Sequence, residues 1–250
     1  MTKADHATDR TVLRVTGQDR RDFLQGLISN DINKLADGLV YAALLTPQGK
    51  YLADFFLLEQ GDAILIDVHD TLAAGLTQRL SMYKLRADVQ ISATDIPVYR
   101  GLDPFDAPAD PRHPALGWRH YGALDCTPAN TDWNALRVAH LIPETGAELI
   151  ANDSYILEHH FEPLNGVDFK KGCYVGQEVT ARMKHKTELR KGLARVRIAG
   201  QAAPGTEITA NGKPVGTLFT QSGNHALAYL RFDRAGPDMQ AGTARLTYPA

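Results

Sequence analysis

The residue types that could do chemistry are densest in the stretch DFKKGCYVGQEVTARMKHK, residues 168–186. Cys173 follows Lys170 and Lys171 and precedes Arg182, Lys184, His185 and Lys186. Cationic neighbours favour thiolate over thiol, so convergence of these side chains would make Cys173 a better nucleophile or soft metal ligand than a free cysteine. Gly172 and Gly176 bracket the Cys-Tyr-Val tripeptide, where a glycine backbone can turn sharply or approach a ligand closely. Tyr174 offers an aromatic face. Gln177 can donate and accept at once, which suits the edge of a pterin or purine. Glu178 could orient such a ligand, or pair with Arg182 four residues on in a helix. The bland alternative is a glycine-containing loop that opens a helix near Gln177, with Cys173 buried as a small hydrophobe. The residues alone leave both readings open.

Other candidates have plainer explanations. Adjacent His159 and His160 beside Glu158 and Glu162 look like metal ligands, but neighbouring side chains diverge on either a strand or a helix. His113 lies in the Pro/Asp-rich loop GLDPFDAPADPRHPA (101–115), and Cys126, in LDCTPAN, has no basic neighbour and reads as inert. Asn30 and Asp31 read as helix-end and turn residues.

The positioning elements follow from periodicity. Residues 11–16 alternate as a strand, and Asp19 caps a helix with Phe23, Leu24, Leu27 and Ile28 on its apolar face, ending near Asn30 and Asp31. Residues 39–45 and 51–59 are strands joined by the turn Pro47-Gln48-Gly49-Lys50. A strand at 63–68, a helix at 71–82 and a strand at 87–92 complete a compact α+β unit. A short strand falls near Trp118 and Tyr121, and a helix follows Thr131-Asp132, ended by Pro143 and Gly146. Beyond residue 188, short alternating strands separated by Gly, Pro and Asn indicate a small β-barrel or sandwich, with Asn211-Gly212 as a hairpin turn.

The chain has 250 residues, 44% hydrophobic and 22% charged, with a formal net charge of −2. No global basic field draws it to nucleic acid or an anionic membrane. The opening residues MTKADHATDR lack an apolar signal core, and no apolar run approaches a membrane span. Two cysteines without CxxC spacing exclude a disulfide framework, a zinc ribbon and a self-contained iron–sulfur cage. A cytoplasmic monomer is the expectation, since nothing resembles a heptad seam.

KGCYVGQE at 171–178, with EPLNGVDFK before it and VTARMKHK after it, closely resembles the signature of the YgfZ family. These are folate-binding proteins of iron–sulfur cluster assembly and repair, similar in fold to the glycine cleavage aminomethyltransferase (T-protein). FLQGLISNDI (23–32), TPQGKYLADFFL (46–57) and MYKLRADV (82–89) resemble further family segments in the family's order. The resemblance implies an α+β, three-domain aminomethyltransferase-like fold around a central channel. Its parts would be a discontinuous folate-binding domain (1–40 and 95–188), a ferredoxin-like α+β domain (41–94) and a C-terminal β-barrel (189–250).

The resemblance further implies that tetrahydrofolate or a related folate binds where the domains meet. Tyr174, Gln177 and Glu178 would serve the pterin, and Arg86, Arg182 and Lys184 the glutamyl carboxylates. Cys173 would be the working thiol and Lys171 would tune it electrostatically. Implied partners are [4Fe–4S] client enzymes, including the tRNA methylthiolation enzyme, and cluster-assembly proteins. Aminomethyltransferases have an acidic pair where this chain reads Ala53-Asp54, which leaves one carboxylate, with Asp54 expected to face the channel. That departure, and the cysteine itself, count against aminomethyl transfer. The remaining alternatives are a tetrahydrofolate-dependent one-carbon transferase and a module that only stores or senses folate.

Overall fold

The computed structural model describes residues 1–185 and 188–249. Lys186, counted above among the cations near Cys173, lies outside the described residues. Two compact units are present: Met1–Thr131 with Glu162–Val179, and Asp132–Phe161 with Thr180–Ala250.

The N-terminal unit contains β1 (Thr2–His6), β2 (Arg10–Thr16), α1 (Arg20–Gln25), β3 (Val40–Leu45), β4 (Tyr51–Gln60), β5 (Ala63–His69), α2 (Asp70–Lys84), β6 (Gln90–Thr94), β7 (Val98–Gly101), β8 (Trp118–Tyr121) and β9 (Cys126–Pro128). Its main sheet runs β3-β4-β5-β2-β6, all antiparallel, and a smaller sheet runs β8-β7-β1-β9. Residues 10–16 therefore join the sheet built from residues 40–94, across the division expected at residue 40.

The main sheet has two unlike faces, as the period of two along each strand requires. Val40, Ala42, Leu44, Phe55, Leu57, Ile64, Ile66 and Val68 form one apolar face, packed with Leu24 and Ile28 and with Leu76 and Leu80 of α2. Burying each such side chain contributes roughly 1.5–3 kcal/mol. The alternate positions Tyr41, Asp54, Phe56 and Asp67 share the other face, with Tyr41 opposite Phe56 and Phe56 opposite Asp67.

The first helix is shorter than its periodicity suggests. It ends at Gln25, with Gly26 at the C-cap. The chain is then drawn to the sheet edge, where Ile28 bridges Leu44 and the Ser29 amide donates to the Ala43 carbonyl at 2.9 Å. Sheet pairing thus wins over helical spacing in this segment.

The C-terminal unit contains α3 (Trp133–His140) and, beyond α4 (Gln177–Lys184), the strands β10 (Lys191–Ala199), β11 (Glu207–Ala210), β12 (Lys213–Ser222), β13 (His225–Arg231), β14 (Met239–Ala241) and β15 (Ala244–Thr247). These six strands close a barrel in the order β10-β13-β12-β11-β14-β15. Asn211 and Gly212 both have positive φ, as a two-residue hairpin turn of this hand requires. Asp132 caps α3 by accepting from the Ala135 amide at 2.9 Å.

Candidate functional site

The turn 171–176 is held from two sides within the N-terminal unit. On one side, the Lys171 ammonium donates to the carbonyls of Gln25 at 2.7 Å, Ile28 at 2.6 Å and Asn30 at 3.0 Å. An ammonium has three N–H donors, so all three are committed. Its nitrogen also lies 5.0 Å from the centre of the Tyr174 ring, which is buried. Burial pushes the Lys171 ammonium down to about 8, against the opposing pull of Asp31 and Asp168. The lysine is thus an anchor for the turn, and its charge is directed into a cage of carbonyls.

The same two segments are stitched further. Ser29 Oγ donates to the Gly166 carbonyl at 2.6 Å, and the Asp168 amide donates to the Ser29 carbonyl at 3.0 Å. Asn30 is buried, and its amide donates to the carbonyls of Tyr41 and Asn165 at 2.8 and 2.7 Å. Lys34 pairs with Asp168 at 2.7 Å. Asn30 is therefore a central tie between three segments, a role its turn-like sequence context does not announce.

On the other side, the turn lies against the β3–β4 hairpin. Gly176 has φ +84°, and a Cβ there would stand 2.6 Å from the Thr46 carbonyl oxygen and 2.8 Å from the Leu45 Cβ. Gly49, at the hairpin tip with φ +76°, would meet the Val179 Cβ at 2.9 Å. Two glycines from separate sequence motifs thus allow backbone to pack on backbone.

Cys173 projects from this fixed turn as an exposed free thiol, not a buried small hydrophobe. Gln177, half-buried, begins α4, and Glu178 stands exposed in its first turn. Arg182 and Lys184 are exposed in its last turn. Arg86 is exposed after α2, the helix that covers the apolar face of the main sheet, whereas Asp54 projects from the opposite face.

Asp54 is buried at 4% exposure and accepts hydrogen bonds from Tyr41 at 2.9 Å and Tyr51 at 2.7 Å. Burial, reinforced by the Asp54 charge, raises the Tyr41 phenol well above its ordinary range. Beside this triad lies a chain of buried ion pairs. Asp67 accepts from Arg10 at 2.6 Å and Arg119 at 2.7 Å, and Asp110 accepts from Arg119 at 3.1 Å and Arg112 at 2.9 Å. All three guanidinium carbons lie over the Phe56 ring, Arg119 at 3.8 Å, Arg112 at 4.8 Å and Arg10 at 5.7 Å. Burial alone would raise Asp67 and Asp110, but their arginine partners hold both below the usual carboxylate range. Asp110 and Arg112 come from the Pro/Asp-rich loop, where composition gives no sign of burial. The period-two spacing of polar residues in β4 and β5 could have flagged Asp54 and Asp67.

The remaining candidates resolve as structural groups. In the C-terminal unit, Glu158 accepts from the Tyr229 hydroxyl, His159 stacks on the Tyr229 ring, and His160 Nε2 lies 2.8 Å from the Leu193 carbonyl. In the N-terminal unit His113 accepts from the Ala115 amide, and Cys126 is a partly buried free thiol. Among the described residues no group of three or more His, Cys, Asp or Glu is placed to hold a metal ion. No helix of the described chain is long and apolar enough to cross a membrane.

Comparison with known proteins extends this geometry. Residues 190–249 match the family described as CAF17, C-terminal beta-barrel domain. The fold is that of the glycine cleavage system aminomethyltransferase T from Bartonella henselae, with a TM-score of 0.76 at 13% identity, covering 98% of this chain and 84% of that one. Among curated proteins, the iron-sulfur cluster assembly factor IBA57 homolog of Mycosarcoma maydis is 32% identical, covering 73% of this chain and 54% of the relative. The chain spans about half the length of this and two further fungal relatives. The human iron-sulfur cluster assembly factor IBA57 is 30% identical, covering 88% of this chain and 75% of the human protein. All these relatives are described as mitochondrial, which overturns the expectation of a cytoplasmic protein. Unpaired cysteines separate reducing from oxidising surroundings and do not tell one reducing compartment from another. On the match to the human protein, the chain belongs to the family of the iron-sulfur cluster assembly factor IBA57.

Proposed function

We propose that this chain supports assembly or repair of [4Fe–4S] clusters in client enzymes, radical tRNA-modifying enzymes among them, with Cys173 as its working thiol and a reduced folate as its ligand. The observation that carries this reading is an exposed thiol on a turn fixed by the Lys171 cage and the Gly49–Gly176 packing. Kinship with IBA57 supports the cluster role. One thiolate cannot hold a cluster alone, so cluster contact is shared with a partner protein.

The residues present suit a folate in chemical type. Gln177 offers a donor–acceptor amide and Glu178 a carboxylate for the pterin edge, and Arg182, in the last turn of the same helix, a cation for the glutamyl end. Tyr174, buried beside the Lys171 ammonium, and Arg86, beyond the helix on the sheet face away from Asp54, fit less directly. When bound, a reduced folate would supply a one-carbon carrier. Two phenols hold the Asp54 carboxylate in place, and the single carboxylate at Ala53-Asp54 argues against the aminomethyl-transfer alternative.

The test pairs a Cys173→Ser strain with the purified variant. The activity of a [4Fe–4S] enzyme is measured in cells, and tetrahydrofolate binding is measured at equilibrium. The expected outcome is lost enzyme activity with folate affinity unchanged within about twofold. Full enzyme activity in the variant strain would refute the thiol role, and absence of folate binding by the wild-type protein would refute the ligand. Turnover of an aminomethyl donor by purified wild-type protein would favour the transferase.

A further inference from the structure

A cleft of about 900 Å³ lies within the C-terminal unit, lined by the last turn of α4, residues 188–190 and the start and end of the β10–β13 pair. Its described lining is Glu158, Met183, Glu188, Leu189, Arg190, Lys191 and Arg231. The volume is that of an organic-ligand site. Three cations stand against two carboxylates, with Met183 and Leu189 as an apolar wall.

The cations are arranged at a cost to the fold. Lys191 and Arg231 are direct cross-strand partners in the antiparallel β10–β13 pair. Like charges in that relation repel and destabilise the sheet. Neutralisation from within is loose. Lys191 Nζ is 3.9 Å from Glu158, whose carboxylate is already bonded to the Tyr229 hydroxyl at 2.5 Å. Arg231 Nε is 3.6 Å from Asp233, and both side chains are about half exposed to competing water. A small anion entering the cleft would meet paired cations that the fold leaves weakly compensated.

We propose that this cleft binds an organic anion, a small molecule with two or more carboxylate or phosphate groups on a partly apolar body. Lys191 and Arg231 grip the oxyanions, Met183 and Leu189 receive the apolar part, and Glu158 sets the affinity by competing for Lys191. The proposal does not depend on the function assigned to the thiol turn.

Methionine methyl NMR tests the proposal on the whole chain. Met183 lines the cleft, Met239 lies in the barrel core and Met82 is exposed in the N-terminal unit. Citrate and pyrophosphate are titrated separately, as a carboxylate and a phosphate probe. A saturable shift of Met183, with Met239 and Met82 unmoved, is expected for at least one probe, and the tighter one identifies the class. Lys191→Gln and Arg231→Gln should each weaken binding about tenfold, the effect of one lost charge-assisted contact. Glu158→Gln keeps an acceptor for Tyr229 and should tighten binding severalfold. The unchanged Met239 signal checks that each variant retains its barrel. No saturable Met183 shift with either probe, or equal affinity in the wild type and both cation variants, would overturn the site.

Discussion

Replacing Lys171 by Met tests whether this lysine is an anchor. The substitution removes three hydrogen bonds of 2.6–3.0 Å to the carbonyls of Gln25, Ile28 and Asn30. A buried acceptor left unpaired costs roughly 1–3 kcal/mol. The lower end applies, because burial already works against the ammonium, so the sum is about 3 kcal/mol. With a urea dependence of about 2 kcal/mol/M, the unfolding midpoint should fall by about 1.5 M. The chain has two tryptophans, Trp118 in the N-terminal unit and Trp133 in the C-terminal one, so fluorine NMR of 5-fluorotryptophan protein reads each unit separately. Lys171→Arg should fare little better than Met, because a planar guanidinium cannot serve three carbonyls that converge on one point. A Trp118 midpoint within about 0.3 M of wild type would show that the cage contributes little, and would return Lys171 to a purely electrostatic role beside Cys173.

Two further substitutions probe the same unit. Gly176→Ala brings a Cβ to 2.6 Å from the Thr46 carbonyl at a positive φ. It should cost about 2–4 kcal/mol from the left-handed backbone and overpacking together. Gly172→Ala, with nothing within 4 Å of its Cβ, should be nearly silent in the same urea titration. Asp67→Asn leaves Arg10 and Arg119 without their shared carboxylate and should cost roughly 3–5 kcal/mol. Because Asp67 and Asp110 are held below the usual carboxylate range, their contribution is fully present above about pH 4 and is lost as pH falls through their folded values. Acid titration of the Trp118 signal should therefore be less steep in Asp67→Asn, and identical profiles would count against the linkage.

The sequence displayed the hairpin at 46–51, α2 and the C-terminal strands openly, because each is set by local periodicity and turn chemistry. It misjudged the end of α1, where pairing of Ile28 and Ser29 with β3 outweighs helical spacing. Long-range polar partners were hidden for the same reason. Asn30 reads as a turn residue until Tyr41 and Asn165 are brought to it, and Arg112 reads as a loop residue until Asp110 and Phe56 surround it. The stretch 171–178 stood out in the sequence through its residue types. The direction of Lys171 did not, since a lysine beside a cysteine in sequence can aim its ammonium elsewhere.

The two-faced main sheet also bears on how the strands find their alignment. Slipping β4 or β5 by one residue would turn Asp54 or Asp67 into the apolar face, among the hydrophobes of the neighbouring strands, and would bring the slipped strand's own hydrophobes to the arginines. An unpaired charge there costs several kcal/mol, a large share of a domain's net stability. Misaligned pairings are thereby disfavoured, and the native β3–β4 register is one in which Gly49 meets Gly176.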